Sequence, residues 1–357
     1  GSLDKEAIDG QDCTTVSVPD TLRPVFLRAQ EYVRHYFNNK SENPEKGTID
    51  IHDERYILVR AASMSKGFFE TIYAHYKDRG RENARKVAAG FLYDLAHSLG
   101  KADARSFHSK MKVTDPIEKL SAGPIHFAHT GWAFVKIFED SNPTPDEQYY
   151  LLYEHPFSFE ADVWMKEGKT TDFPVCIMNC GYSSGWCEES FGIPLVAVEL
   201  ECRARGDEHC RFIMAPPSKI ESYVKKYKVH PYNQSFAENH IDIPEFFQRK
   251  RLEDELRKSE ETARALLNAP TESALLLDRD GKIIALNNTA VQRLGKTEAE
   301  LMGSNVFDLF EGELKQKRRE YHQQALDSRM PVQYIDQRED LWLDNRIYPV
   351  LDTGGQV

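Results

Sequence analysis

The feature that most restricts how this chain can fold is a cluster of cysteines. Five of its six cysteines fall between Cys176 and Cys210, within a chain of 357 residues. Six cysteines are too few for a disulfide framework at this length, whereas local clustering is typical of metal or redox chemistry. We therefore expect a domain organised around a metal or thiol site.

Three thiols and a carboxyl in this region form a candidate metal site. The four side chains are Cys176, Glu199, Cys202 and Cys210. If residues 196–202 form a strand, Glu199 and Cys202 would point to opposite faces unless the strand ends or bulges near Glu201. Gly206 lets the chain reverse and bring Cys210 back towards Cys202. Four protein ligands leave no open position for water, which predicts a structural role rather than catalysis.

Two motifs in this region, PVCIMNCGYSSGW and VELECRARGDEHCRFI, carry a family resemblance. Over residues 68–223 the chain resembles the 4-vinyl reductase domain in the sensory regions of phenol- and xylene-responsive bacterial activators. The resemblance implies a structural zinc held by the four side chains named above. It also implies a mixed α/β fold similar to that of Bet3-type trafficking subunits, often paired with a second copy. Cys180 and Cys187 receive no metal role from it, and we interpret them as buried thiols, with alternative ligands or a redox pair as the other readings.

The order of helical and strand patterns predicts an α+β domain. Apolar residues at helical spacing predict helices over residues 22–37, 67–76 and 83–99, the last ending at Gly100. Strand character follows in residues 126–138, 149–159 and 193–202. We predict a disordered tail at residues 1–20 and a sensor domain at residues 21–225.

A helical connector is predicted over residues 226–267. Its apolar positions recur at alternating steps of four and three, as in the seam of a parallel coiled coil. The predicted seam consists of Leu252, Leu256, Ala263 and Leu266. The alternative is a single amphipathic helix that docks on its own domain.

The last segment, residues 268–357, resembles a PAS domain. The resemblance rests on DRDGKIIALNNTA, LGKTEAELMG and the terminal RIYPV. We expect a hairpin with its turn at Asp280-Gly281, a helix capped by Asn288-Thr289, and later strands in residues 341–343 and 346–350. The PAS domain is expected to be incomplete at Val357, with a further strand beyond it.

The resemblance also implies an apolar cavity in which a His and a Trp anchor the hydroxyl of an aromatic effector. Here His155 occupies the position of that Trp. Other polar candidates are His126 and His129, predicted on a strand with Trp132 and Phe134, and the predicted walls are Tyr153, Phe159 and Tyr182. The alternative is that these aromatic side chains form core and dimer contacts.

Charge and hydropathy narrow the possible partners. A net charge of −11 disfavours a broad nucleic-acid surface. No apolar run approaches the roughly 20 residues needed to cross a bilayer. We therefore expect a cytoplasmic homodimer that binds a small molecule, with neither nucleic acid nor membrane as a partner.

The sequence as a whole predicts a signal-transduction sensor. A dinucleotide loop, a P-loop and a convincing nucleophile and base pair are all missing from the chain, so we predict that this fragment is not an enzyme. A zinc-stabilised domain would bind an apolar or aromatic effector and signal through the linker and the PAS domain to an output module, which we expect to be a histidine kinase. The alternatives are a haem- or redox-responsive sensor that uses Cys180 and Cys187, and a reductase-like enzyme.

Overall fold

The computed structural model describes residues 13–166, 168, 170–227, 245–338 and 341–351. The chain divides into two units, Gly1–Asp254 and Glu255–Val357, each with its own hydrophobic cluster. The predicted mixture of helices and antiparallel strands is confirmed. The division at residue 254 falls inside the predicted linker, and residues 1–12 of the predicted tail lie outside the described residues. The four domain limits given above stay predictions.

The first unit alternates helices with short strands. Its elements are β1 (Val16–Ser17), α1 (Arg23–Asn38), β2 (Lys40–Asn43), β3 (Thr48–Ile51), β4 (Glu54–Tyr56), α2 (Ala61–Met64), α3 (Lys66–His75), α4 (Arg81–Met111), α5 (Pro116–His129), β5 (Ala133–Ile137), β6 (Leu151–Ser158), α6 (Phe159–Met165), α7 (Ile177–Phe191), β7 (Val196–Glu201), β8 (Arg211–Ala215), α8 (Ile220–Tyr227) and the start of α9 (Glu245–Asn268). Among the described helices of the chain, none combines the length and apolarity needed to span a bilayer.

A five-stranded sheet in the order β1-β5-β6-β8-β7 forms the centre of this unit. The β1–β5 pair is parallel and the other pairs are antiparallel. Tyr153 on β6 lies on the face covered by α7, because its hydroxyl is 2.9 Å from Ser183 Oγ. On the opposite face, Arg211 of β8 donates to the hydroxyl of Tyr227 on α8 at 2.9 Å. The sheet is therefore covered on both faces.

Helices α4 and α7 approach closely through glycines. A Cβ added to Gly100 of α4 would lie 2.1 Å from the carbonyl oxygen of Tyr182, and one on Gly185 of α7 would lie 2.1 Å from that of His97. The predicted helix end at Gly100 is therefore wrong, because this glycine permits a close helix contact in mid-helix. Helix α4 continues to Met111, and Lys112 follows it in a left-handed conformation.

The strand predicted over residues 126–138 is wrong in its first part. Asp115 caps α5 by accepting hydrogen bonds from the backbone of Ile117 and Glu118, and Pro116 occupies the first helical position. These two signals begin a helix that continues to His129, so β-propensity is overridden and only Ala133–Ile137 is a strand. His126 and His129 are thus helical.

The second unit contains two hairpins and three helices after the end of α9. Its elements are β9 (Leu275–Leu277), β10 (Ile283–Leu286), α10 (Asn288–Leu294), α11 (Glu298–Leu301), α12 (Gly312–Ser328), β11 (Val332–Arg338) and β12 (Leu341–Ile347). The predicted first hairpin is confirmed.

Two local predictions in this unit need correction. The cap of α10 is Asn287 rather than Asn288-Thr289, and its side chain accepts from the amide of Ala290 at 2.9 Å. The two late strands predicted at 341–343 and 346–350 are one strand, β12, which pairs with the unpredicted β11. Polar residues alternate along β11, and its register with β12 is what makes it a strand.

Candidate metal centre and adjoining cavity

Four donor side chains converge where α7, β7 and β8 meet. Cys176 immediately precedes α7 and Glu199 lies in β7, while Cys202 and Cys210 flank the turn between β7 and β8. The pairing of β7 with β8 shifts register between Glu199 and Glu201. This irregularity is the predicted bulge, and it lets Glu199 and Cys202 face the same site.

The geometry of these donors fits a tetrahedral cation. Their ligand atoms all lie within 4.8 Å of one another, and Cys176 Sγ is 3.8 Å from Cys210 Sγ. A tetrahedral zinc with Zn–S bonds of about 2.3 Å would place two sulfurs about 3.8 Å apart. All four side chains are buried, and Glu199 Oε1 has no hydrogen-bond partner among the described residues. The donor set and the orphaned carboxylate oxygen therefore both suit zinc.

The protein alone provides poor conditions for ionising this cluster. Burial raises the pKa of Cys176, Cys202 and Glu199. The pKa of Cys210 is instead lowered to about 6, because the Cys176 and Cys202 thiols hydrogen-bond to its thiolate. A divalent cation would stabilise the ionised form of all four groups, since metal binding and deprotonation are coupled.

The centre also joins strand β6 to the elements that carry the donors. Ser158 Oγ, at the end of β6, lies 3.2 Å from Cys176 Sγ. The backbone amide of His155 donates to the carbonyl of Cys210 at 2.8 Å. The donor cluster thus fixes the spacing between β6, β8 and the beginning of α7.

A small cavity of about 30 Å³ lies between the same strands and helices α5 and α7. It is lined by Leu120, Gly123, Pro124, Phe127, Val135, Ile137, Leu151, Tyr153, His155, Tyr182, Ser183, Trp186, Cys187 and Met214. This volume would hold about two water molecules, whereas an engineered cavity that binds benzene measures about 150 Å³. An aromatic ring can therefore enter only if the walls move apart.

His155 is the polar side chain of the cavity that offers unused hydrogen-bonding capacity. The hydroxyl of Tyr153 pairs with Ser183 at 2.9 Å, and that of Tyr182 donates to Asp103 at 2.7 Å. Neither ring nitrogen of His155 has a partner among the described residues. Burial lowers the pKa of His155 to about 3, so the ring is neutral and presents one donor and one acceptor. A single hydroxyl on an apolar ligand would match it.

Three of the eight side chains predicted for a ligand pocket line this cavity, namely Tyr153, His155 and Tyr182. Trp132 packs behind Tyr182 with ring centroids 4.8 Å apart, and Phe159 meets Trp132 edge to face. Phe134 contacts Phe157, away from the cavity lining. These last three residues support the walls without lining the cavity.

The two helical histidines lie outside the cavity lining. His126 Nδ1 is 3.1 Å from the hydroxyl of Tyr182, and His129 stacks on Phe37 at 4.8 Å. The sequence did not identify the part of the lining that α5 supplies, including Leu120 and Phe127. The signal was available in the Asp115-Pro116 helix start, which would have placed these apolar residues on a helix.

Cys180 and Cys187 are free, buried thiols on α7 and do not belong to the donor cluster. Burial raises the pKa of Cys180 and brings that of Cys187 to about 12. Redox-active cysteines depend on the thiolate form, so this environment disfavours the redox alternative.

Comparison with known proteins agrees with both predicted resemblances. The family model of the 4-vinyl reductase domain matches residues 156–216, and that of the PAS fold matches residues 267–357. The chain carries a 4-vinyl reductase domain followed by a PAS fold. All four donors lie inside the first of these matches, and His155 immediately precedes it.

The phenol regulator MopR of Acinetobacter guillouiae is 29% identical to this chain over 178 residues, which are 50% of this chain and 30% of MopR. The transcriptional regulatory protein XylR of Pseudomonas putida is 28% identical over 186 residues, which are 50% of this chain and 31% of XylR. The chain thus spans under one third of the length of either curated relative. Both relatives are named as regulators, in agreement with the prediction that this fragment is not an enzyme.

Among solved structures, the crystal structure of the phenol-responsive sensory domain of the transcription activator PoxR with phenol is 20% identical, with a TM-score of 0.46. It covers 56% of this chain and 98% of its own.

Proposed function

We propose that this chain is the sensing part of a regulatory protein. A structural zinc held by Cys176, Glu199, Cys202 and Cys210 would stabilise the 4-vinyl reductase domain, and a small aromatic effector would bind in the adjoining cavity. The linker helix α9 and the PAS fold would then pass the change to an output module.

A structural rather than catalytic zinc is supported by the donor set. Four buried protein ligands complete a tetrahedron, so water has no open coordination position. The cation would join α7, β7 and β8, the elements beside the cavity. A Bet3-like classification of the domain is part of the same proposal and rests on the sequence resemblance.

The observation that carries the proposed effector site is the neutral, unsatisfied imidazole of His155 in an otherwise largely apolar cavity. Buried polar groups are almost always hydrogen-bonded, so an orphaned one facing a cavity indicates a ligand or a water molecule. Lys and Arg are missing from the cavity lining, which favours a neutral effector over an anionic one. The name of MopR suggests phenol as the first compound to test.

The assembly and the output belong to the proposal as well. Leu252, Leu256 and Leu266 of α9 are 60%, 62% and 70% exposed, as a seam that pairs with a second copy requires. The names of the two curated relatives favour an output in transcription over the histidine kinase expected from the sequence.

The effector site can be tested by titrating phenol into the zinc-loaded full chain in a calorimeter. His155→Phe should weaken binding about tenfold, because it removes one hydrogen bond worth about 1.4 kcal/mol. His155→Gln, which keeps a donor and an acceptor, should recover part of the affinity.

The matched control is His129→Phe, which alters a histidine that stacks on Phe37 outside the cavity. It should bind phenol as the unaltered chain does. Equal affinity of the His155→Phe variant, or no heat of binding with the unaltered chain, would remove the support for a phenol-type effector site.

A further inference from the structure

A buried, charge-balanced cluster lies on the face of the sheet opposite the cavity. Arg211 is 3.3 Å from Glu154 and 3.5 Å from Glu201, and Lys136 is 3.0 Å from the other oxygen of Glu154. Tyr227, the last residue of α8, accepts from Arg211 at 2.9 Å and donates to Glu201 at 3.0 Å. This hydroxyl therefore connects α8 to strands β7 and β8.

The cluster stands on the same strands as the cavity wall. Glu154 lies between Tyr153 and His155 on β6, and Glu154 is directly opposite Arg211 in the β6–β8 register. Because successive side chains on a strand point to opposite faces, Tyr153 and His155 face the cavity while Glu154 faces α8. A displacement of β6 or β8 by a ligand must therefore move the partners of Tyr227.

The opposite wall of the cavity is less free to move. Helix α7 contacts the backbone of α4 through Gly181 and Gly185, where an added Cβ would lie 2.4 Å and 2.1 Å from carbonyl oxygens. Since the cavity is far smaller than an aromatic ring requires, the expansion must come largely from the sheet side.

Helix α8 is in turn ion-paired with the start of the linker helix, which belongs to the same unit. Arg251 of α9 lies 3.6 Å from Glu221 of α8. Arg249, two residues earlier, pairs with Asp94 of α4. The linker thus begins in contact with one element that follows the sheet and one that is locked to α7.

We propose that α8 is the mechanical relay between the cavity and the linker, with Tyr227 as its positioning residue. The hydrogen bonds of Tyr227 to Arg211 and Glu201 set the position of α8 on the sheet, and the Glu221–Arg251 pair transfers that position to α9. This inference deepens the proposed function and rests on it for the nature of the signal.

The first arm of the test needs no effector. Hydrogen exchange is measured by mass spectrometry on the zinc-loaded full chain, its Tyr227→Phe variant and its Tyr223→Phe control. Tyr223 lies on the same helix but packs on the ring of Tyr150, outside the cluster. Tyr227→Phe should speed exchange at least fivefold in both α8 and residues 248–254, and Tyr223→Phe should not. Faster exchange in α8 alone, or equal behaviour of the two variants, would overturn the relay.

The second arm adds phenol as the probe. Phenol should change exchange in residues 248–254 of the unaltered chain, and Tyr227→Phe should lose this change while binding phenol within threefold of normal. Binding without any change in those residues would overturn the relay and leave the effector site standing. Absence of phenol binding would instead count against the proposed effector class, and the first arm would still decide the relay.

Discussion

At the scale of single residues, the hydration of a few buried histidines matters more than their number. Burial lowers the pKa of His108 to about 4 and that of His126 and His155 to about 3. Each ring is therefore neutral in the folded protein at ordinary pH. Of the three, His155 lines the cavity.

A neutral buried His155 predicts a specific pH dependence of stability. Between about pH 6.5 and pH 3 the unfolded chain holds a proton on this residue and the folded chain does not, so the free energy of unfolding falls as the pH falls. His155→Phe should reduce the slope by about 1.4 kcal/mol per pH unit at pH values well below 6.5. The measurement is urea unfolding of both proteins from pH 7.5 to 5. Parallel curves would show that His155 is protonated in the folded chain.

At the scale of elements, the contact between α4 and α7 is the most demanding in the described fold. Gly100, Gly181 and Gly185 allow backbone contact that any Cβ would prevent without a shift. Helix α7 also carries Tyr182, Ser183, Trp186 and Cys187 of the cavity lining, so an error in this contact would reach the site.

This contact predicts opposite effects for the same substitution at two glycines. Gly185→Ala should lower the free energy of unfolding by at least about 2 kcal/mol, because its Cβ meets the backbone oxygen of His97. Gly90→Ala on α4, where nothing lies within 4 Å, should raise it by about 0.5–1 kcal/mol through helix propensity. Denaturant unfolding would measure both. A neutral Gly185→Ala would mean that the helices can separate without loss.

At the scale of the whole molecule, the two units have separate cores, and the donor cluster belongs to the first unit. A structural zinc contributes about 10–16 kcal/mol, which equals or exceeds the net stability of about 5–15 kcal/mol of an ordinary domain. Loss of the metal should therefore unfold one unit and spare the other.

Cys202→Ser should abolish zinc binding and the thermal transition of residues 1–254, while the transition of residues 255–357 is retained. Cys180→Ser, which changes a buried thiol outside the donor cluster, should keep both the zinc and the transition. Metal content by plasma mass spectrometry and calorimetric scans provide the readout. Full zinc content and unchanged melting in Cys202→Ser would contradict the structural role.

Local chemistry determined much of this protein from its sequence. Cys176, Cys202 and Cys210 are close in the chain and chemically distinctive, and the bulge near Glu201 follows from the requirement that the donors meet. The hairpin at Asp280-Gly281 and the helical character of the linker are likewise encoded by turn residues and apolar spacing. These features depend on neighbours along the chain, which a sequence displays directly.

Tertiary structure alone decided the features that depend on residues far apart in the chain. Gly100 reads as a helix end until Tyr182, 82 positions later, lies against it. His155 acquires its neutral, unsatisfied state from the burial that α5, α7 and the sheet produce together. The link from Glu154 through Arg211 to Tyr227 exists only because strand register and helix packing place three distant segments side by side, and no local pattern contains that information.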